Sequence, residues 1–499
     1  MLPALVLTLA VGLGAAAPPA LPPMMAAARD GDAAAVTRLL NEGVSVRAAA
    51  PDGSTALHWA AHAGHTAIVS RLLAAGADAG AVTDLGVAPL HLAAAAGHAA
   101  IVQTLLNAGA SATALTEAGI DPLMEAARVG DAAAVRALLD AGADPRRTEP
   151  VRGQTALMWA ASGGHRAAAE ALLARGAAVH ARSLTRPLVV MFDRGPSRSV
   201  KTSGQDAHRV TAGGLTPLLF AALSGDVPTL EVLLAHGASS NDVAADGRSA
   251  LVLAAFDGHG AAARRLIEAG ADVQADGAGY TALHAAVLRG DNDSVRALLA
   301  RGANVHARLR QGSPVRRFGS QWALSHTLRG ATPLMLAVAY LEVTLVRTLL
   351  AAGADPSLGL ADGHTPLTMA AGAMVEREAR PSDLVRWNVT DADTPLIPRD
   401  RRDVEAVVQA LLDAGASPRD AGPGGQTPLH LAAADGHVGV IRALVARGAV
   451  IDAQDAQGQT PLSLTLPRPA QPGRAPARAG QPEAEAVLRA LAAAPRPPA

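Results

Sequence analysis

The chain has 499 residues, a formal net charge of -1 and no cysteine. A single hydrophobic core stops growing near about 250–300 residues, so this length predicts several domains or an elongated array. The near-zero charge gives no overall attraction to nucleic acid or to an anionic membrane, and we expect no nucleic-acid partner. The absence of cysteine excludes disulfides, thiolate zinc sites and cysteine nucleophiles.

The N-terminus begins with an apolar run, Leu2–Gly14, which small residues follow up to Ala17. The run is too short to cross a bilayer comfortably, and its pattern predicts a signal peptide over residues 1–17. We therefore expect a periplasmic or secreted protein that has no transmembrane segment after the signal is removed. An apolar capping segment of the fold is the alternative, and the protein would then be cytoplasmic. The many alanines and the excess of arginine over lysine, of which Lys201 is the one example, favour a bacterial source.

One motif recurs through residues 18–495, mostly at spacings of 32 to 34 residues. Two of its copies are STALHWAAHAGH, from Ser54, and QTPLHLAAADGH, from Gln426. Thr or Ser before Pro-Leu or Ala-Leu caps a helix, and proline is tolerated in the first turn. Gly-His or Gly-Asp then leads into a second helix with apolar residues at helical spacing, and Gly-Ala ends it. Because one such unit cannot bury its own apolar face, neighbouring units must stack.

The run TPLHLA, Thr427–Ala432, resembles the signature of the ankyrin repeat family, and the resemblance covers roughly residues 22–495. It implies an all-α ankyrin-repeat solenoid of about twelve helix-turn-helix units with short finger loops. The family uses the histidine of this motif structurally, and also the histidine after the helix-breaking glycine. We therefore expect no catalytic residue, no metal site and no cofactor.

Three gaps between motifs exceed the period and predict long insertions at about 183–212, 308–329 and 374–403, with a proline-rich interruption at about 467–482. The first two follow a completed second helix and should emerge on the finger side. The third separates the two helices of its unit. Their aromatic residues favour partial order against the array. Loops that pack only onto their own repeats are the alternative.

The insertions and the positions before the helix-breaking glycine provide the candidate site residues. Residues 308–329 contain five arginines and no acid, which indicates a partner with an anionic patch. An ordinary arginine-rich surface, without a partner, is the alternative interpretation of the same composition. The resemblance places the positions before the glycine on the concave face. The candidate partner-binding residues are Leu223, Phe256, Leu288, Tyr340, Arg316, Arg317 and Trp322. The apolar four could form one strip that binds a partner, or the insertions could cover that strip.

These patterns favour a non-catalytic protein-protein interaction scaffold or regulator that uses the concave groove, the fingers and the insertions. The alternative is a carrier of a small molecule or anion, or a hydrolase, with a site between insertion and groove. A purely structural spacer is the third possibility. Framework residues are shared by such arrays whatever they bind, so the sequence does not name the partner.

Overall fold

The computed structural model describes residues 21–193, 207–310, 313–316, 322–325, 328–373, 401–467 and 480–493. The predicted signal peptide lies outside the described residues, as do most of the third insertion and of the proline-rich interruption. The chain forms two compact units. Within the described residues, the first unit comprises 21–186 and 212–245, and the second comprises 187–193, 207–211 and 246–493.

Pairs of short antiparallel helices make up both units. The helices of the first unit are α1 (Pro23–Asp30), α2 (Ala33–Asn41), α3 (Ala56–Ala63), α4 (Thr66–Ala74), α5 (Pro89–Ala95), α6 (Ala99–Asn107), α7 (Pro122–Val129), α8 (Ala132–Asp140), α9 (Ala156–Ser162), α10 (Arg166–Ala174), α11 (Pro217–Ser224) and α12 (Val227–Ala235). The helices of the second unit are α13 (Ala250–Asp257), α14 (Gly260–Glu268), α15 (Ala282–Arg289), α16 (Asn292–Ala300), α17 (Pro333–Ala339), α18 (Val343–Ala351), α19 (Pro366–Thr368), α20 (Arg401–Asp413), α21 (Pro428–Asp435), α22 (Val438–Ala446), α23 (Pro461–Thr465) and α24 (Pro482–Ala493). A single π-helical turn, Met369–Ala373, extends α19.

Helices of the same kind stack in rows within each unit. In the first unit the first helices of the repeats form one row, α1, α3, α5, α7, α9 and α11. The second helices form the other row, α2, α4, α6, α8, α10 and α12. In the second unit α20 keeps its place in the second row, between α18 and α22, although it follows the third insertion. Leu57 and the pair Ala60–Ala61 of α3 show the reason for the stacking, because all three are at most 1% exposed. The small alanines let first helices approach closely, and each fully buried leucine contributes about 1.5–3 kcal/mol.

Local hydrogen bonds begin and end the helices as the motif predicts. The Thr155 hydroxyl accepts a hydrogen bond from the backbone N–H of Met158, 3.3 Å away, and so caps α9. Helix α3 ends at Gly64, whose φ of +83° lies in the left-handed region that favours glycine. The predicted helical repeats are confirmed.

Where the repeats carry histidines in the motif or after the helix-breaking glycine, the histidines at these two positions join neighbouring repeats. The backbone N–H of Thr55 donates to Nδ1 of His58 at 3.1 Å, and Nε2 of His58 donates to the Val87 carbonyl oxygen of the next repeat at 3.0 Å. In the opposite direction, Nε2 of His65 lies 3.1 Å from the Arg29 carbonyl oxygen of the preceding repeat. Both histidines therefore have structural partners.

The first two insertions form a β-sheet, which the sequence patterns did not predict. Its strands are β1 (Thr185–Asp193), β2 (Ala207–Gly213), β3 (Ser313–Arg316) and β4 (Trp322–Ser325), in the order β2-β1-β4-β3. The β1 and β4 strands are parallel, with Phe192 opposite Leu324, and β3 and β4 are antiparallel. The two insertions thus meet each other, and the all-α repeats carry a small sheet.

Leu341 departs from the pattern of the other helix ends. It occupies the position where α3 has Gly64, yet its φ is 54°, a left-handed conformation that strains a branched residue by about 1–2 kcal/mol. Its side chain is only 9% exposed, so packing holds it there.

Candidate partner-binding surface

The four apolar candidates occupy equivalent places at the ends of first helices. Leu223, Phe256 and Leu288 are the penultimate residues of α11, α13 and α15, and Tyr340 directly follows α17. Leu223 belongs to the first unit and the other three to the second.

Burial separates these four residues into two kinds. Phe256 and Leu288 are 2% and 3% exposed, so neither offers side-chain area to a partner in this structure. Leu223 and Tyr340 are half-buried. A partner-facing role therefore stays a prediction, and accessibility favours Leu223 and Tyr340 over the other two.

Phe256 lies in a cluster that neighbouring repeats complete. Its ring centroid is 6.2 Å from that of Tyr280 at an interplanar angle of 55°, and the Arg289 guanidinium carbon lies 5.3 Å from the Phe256 centroid. Arg289 Nε also donates to the Phe256 carbonyl oxygen, and its Nη2 is 3.9 Å from Oδ1 of Asp257. Tilted rings and a cation over an aromatic face are both favourable, so the cluster explains why Phe256 is held in the interior.

The same region contains a second, half-buried charge pair. Arg248 precedes the N-cap of α13, and its Nη2 lies 2.6 Å from Oδ2 of Asp246. Burial lowers the pKa of Arg248, but the hydrogen bond and the charge of Asp246 outweigh it and leave the pKa above its usual value. Burial raises the pKa of the Tyr280 hydroxyl, so this group stays protonated.

Sequence reasoning passed over Tyr280, Arg248 and Arg289. The available signal was positional, because Arg248 and Tyr280 directly precede helix caps and Arg289 is the neighbour of Leu288. The contacts of Tyr280 and Arg289 with Phe256 join residues of neighbouring repeats, and repeat spacing alone does not reveal such pairs. Arg248 pairs with a residue two positions away in its own loop.

The basic insertion residues are placed by the sheet. Arg316 ends β3 and lies directly opposite Trp322, the first residue of β4, in the antiparallel ladder. The structure therefore brings these two predicted residues together at the level of the backbone. Arg317 lies outside the described residues.

Exposed apolar side chains were also missed, and they lie on the connecting loops of the first unit. The most exposed are Val151 at 75%, Leu85 at 62%, Leu184 at 56% and Val82 at 52%. Leu115 is 43% exposed on the loop between the Val82 and Val151 loops. Single exposed hydrophobics are ordinary, but a row on successive loops indicates a contact surface.

Two further properties bear on function. Within the described parts of the chain, no group of three or more His, Asp or Glu side chains could hold a metal ion. Across the same residues, no helix has the length and apolar character needed to span a membrane.

Comparison with known proteins shows where the repeats match. The protein-family model described as ankyrin repeats (3 copies) matches residues 24–116, 109–183, 199–277 and 218–308. The family model described as ankyrin repeats (many copies) matches residues 411–464, and that of the single ankyrin repeat matches residues 329–359.

The similar proteins are themselves ankyrin repeat proteins in part or in whole. Ankyrin repeat and SOCS box protein 16 of Homo sapiens is 31% identical over 229 residues, which is 43% of this chain and 47% of that protein. The E3 ubiquitin-protein ligase KEG of Arabidopsis thaliana is 27% identical over 269 residues, 52% of this chain and 14% of that protein. The chain thus spans about half the length of the first of these relatives and much less of the second.

Among solved structures, the human ASB11 ankyrin repeat domain is 27% identical, with a TM-score of 0.40, and covers 50% of this chain and 97% of that chain. Together with the stacked helix pairs and the two histidine positions, the family matches confirm the resemblance read from Thr427–Ala432. The chain belongs to the ankyrin repeat family, whose repeats are protein-protein interaction modules.

Proposed function

We propose that the chain is a non-catalytic scaffold or regulator that binds a partner protein through its grooves, its finger loops and its insertions. The observation that carries this proposal is the row of exposed apolar side chains on successive connecting loops, from Val82 to Leu184. An ankyrin repeat fold is typically non-enzymatic, and its rigid stack can present such a row without a change of shape.

The partner surface extends to the sheet made by the first two insertions. Five arginines and no acid lie in residues 308–329, and this charge supports an anionic patch on the partner. Arg316 and Trp322 share one rung of the β3–β4 ladder, so a basic and an aromatic residue stand at the same level of the sheet. Among the groove residues, the half-buried Leu223 and Tyr340 are the candidates for contact.

We propose a periplasmic or secreted location, which rests on the apolar run Leu2–Gly14 and the small residues after it. N-terminal sequencing of the protein purified from its native cells tests this part. A mature chain that begins near residue 18 supports export, and an intact Met1 in the cytoplasmic fraction contradicts it.

The binding proposal is tested by affinity capture from an extract of the native cells. The wild type is compared with a double variant, Arg316→Gln with Arg317→Gln, which keeps the loop length and removes two charges. Circular dichroism first shows that both are folded. We expect a partner that is depleted with the double variant and that elutes from the wild type at raised salt.

A matched control is the pair Arg38→Gln with Arg136→Gln, which removes two charges from second helices of the first unit. It should capture the partner as the wild type does. If the wild type captures no protein at all, the scaffold proposal fails. If it captures one that the insertion variant binds equally well, the anionic-patch part of the proposal fails.

A further inference from the structure

Three connecting loops of the first unit lie edge to edge. We call residues 42–55, 75–88 and 108–121 the first, second and third fingers. The backbone N–H of Asp84 donates to the Asp52 carbonyl oxygen at 3.0 Å, and that of Glu117 donates to the Leu85 carbonyl oxygen at 2.9 Å. A Cβ added to Gly86 would lie 3.0 Å from the Leu115 carbonyl oxygen, so the second and third fingers are in close contact. The three finger tips therefore form one continuous ridge.

Apolar side chains stand on this ridge and are open to solvent. Leu85 is 62% exposed, Val82 is 52% exposed and Leu115 is 43% exposed. They come from two adjacent fingers that are hydrogen-bonded to each other, so they make one patch rather than scattered exposed residues. Burying such side chains against a partner is favourable, at about 25 cal/mol per Å² of apolar area.

Carboxylates surround the patch. Asp52, Asp84 and Glu117 are exposed at the tips of the first, second and third fingers. Across the three fingers the sequence has six acids and one base, Arg47. Two of the acids have cationic partners outside the fingers, since Asp121 is buried beside Arg147 and Oε1 of Glu42 lies 3.8 Å from Nε of Arg38. The exposed charge of the ridge therefore comes mainly from the other four. The Nε of Arg47 donates to the Gly76 carbonyl oxygen at 2.9 Å, at the end of a second helix, and this contact directs it to the framework. The ridge is thus apolar and negatively charged.

We propose that this finger patch, Val82, Leu85 and Leu115 with Asp52, Asp84 and Glu117, binds a segment of a partner protein that carries apolar side chains interspersed with lysine or arginine. Apolar side chains of the segment cover the leucines and the valine, and its cationic groups pair with the three carboxylates. Pairs of this kind add specificity and speed association. The negative charge disfavours phosphate-rich ligands such as nucleic acid or an anionic membrane.

This inference rests on the proposed function and names the chemistry of one partner-binding surface. It is independent of the basic insertions, because the finger patch lies wholly in the first unit and β3 and β4 lie in the second. The finger patch is acidic and the insertions are basic, so the two surfaces favour partners of opposite charge. A binding test of one surface is therefore independent of a test of the other.

The test is selection of a random peptide display library on the full-length protein, followed by measurement of the affinity of one selected synthetic peptide. We expect enrichment of peptides that combine Leu, Ile or Phe with Lys or Arg. The variant Leu85→Ser with Leu115→Ser should weaken binding at least about tenfold. The variant Asp84→Asn with Glu117→Gln should weaken it and reduce its dependence on salt.

Val450→Ser is the matched control, because Val450 is 45% exposed on a connecting loop of the second unit. It should leave the affinity unchanged. Both patch variants alter only exposed side chains, and their thermal unfolding should match that of the wild type. Enrichment of acidic or purely polar peptides, or an affinity that neither patch variant changes, overturns the proposal.

Two further outcomes separate this inference from the proposed function. If the leucine variant captures the same partner from the extract as the wild type does, the finger patch is wrong and the scaffold proposal stands. If light scattering shows an oligomer that the leucine variant dissociates, a second copy of this chain occupies the patch, and the proposed partner is wrong.

Discussion

His58 donates from Nε2 to the carbonyl oxygen of Val87, across the boundary between two repeats, at 3.0 Å. The same carbonyl also accepts from the backbone N–H of Thr83, and the other ring nitrogen of His58 accepts from the N–H of Thr55. One imidazole therefore ties a helix start to the loop of the next repeat.

Replacement of this histidine should destabilise the array measurably. In His58→Leu the buried N–H of Thr55 loses its acceptor and Val87 loses one of two donors, so we expect the free energy of unfolding to fall by about 1–3 kcal/mol. Urea denaturation followed by circular dichroism measures the change. His62→Leu, at an exposed position of the same helix, is the control and should stay within about 0.5 kcal/mol of the wild type. Equal stability of the two variants would contradict a structural role for His58.

Buried histidines should make the protein acid-sensitive. Burial lowers the pKa of His91 and of His284 from 6.5 to about 4. In the folded state both stay neutral where the unfolded chain already binds protons, so their contribution to stability is complete above pH 6.5 and is lost as pH falls towards 4. The full loss is on the order of 3 kcal/mol for each histidine.

Thermal unfolding across this pH range measures the effect, and the melting temperature should fall steadily below pH 6.5. The variant His91→Gln should show a shallower fall than the wild type, because one titrating group is gone. His62→Gln, which changes an exposed histidine, should leave the slope unchanged. A melting temperature that is flat across the range would contradict the burial of these rings.

Phe256 should behave as a core residue. It is 2% exposed and lies under Arg289, so Phe256→Ala should lower the free energy of unfolding by about 3–5 kcal/mol. Leu223→Ala, at the equivalent helix position but half-buried, should cost about 1 kcal/mol. Chemical denaturation compares the two variants. If Phe256→Ala proves as stable as the wild type, the residue belongs to an open surface as the repeat position first suggested.

Leu341 should show strain and packing as opposing effects. Leu341→Gly relieves the left-handed backbone by about 1–2 kcal/mol but removes a buried side chain worth about 2–5 kcal/mol, so a net loss of about 1–3 kcal/mol is expected. Leu341→Ala removes the side chain and keeps the strain, and it should be less stable than the glycine variant by about 1 kcal/mol. Equilibrium unfolding of the two variants decides the order, and an alanine variant that is the more stable would contradict a strained φ.

The repeats were predictable because their determinants are local. Thr155 caps a helix through the residue three positions on, and Gly64 ends one through its own backbone freedom, so both are visible in a short window of sequence. The burial of Phe256 could not be predicted in this way, because it depends on Arg289 of the next repeat. The sheet could not be predicted either, since Phe192 and Leu324 pair across segments that several repeats separate along the chain.

The pairing of β1 with β4 has a consequence for how the repeats unfold. In a linear array each repeat touches only its neighbours, so unfolding can start anywhere and fray outward from an end. A ladder between Phe192 and Leu324 closes the intervening chain into a non-covalent ring. The repeats of the second unit that lie inside that ring, α13 to α16, have no free end from which to unfold. They should therefore exchange their amide hydrogens together, as one cooperative block.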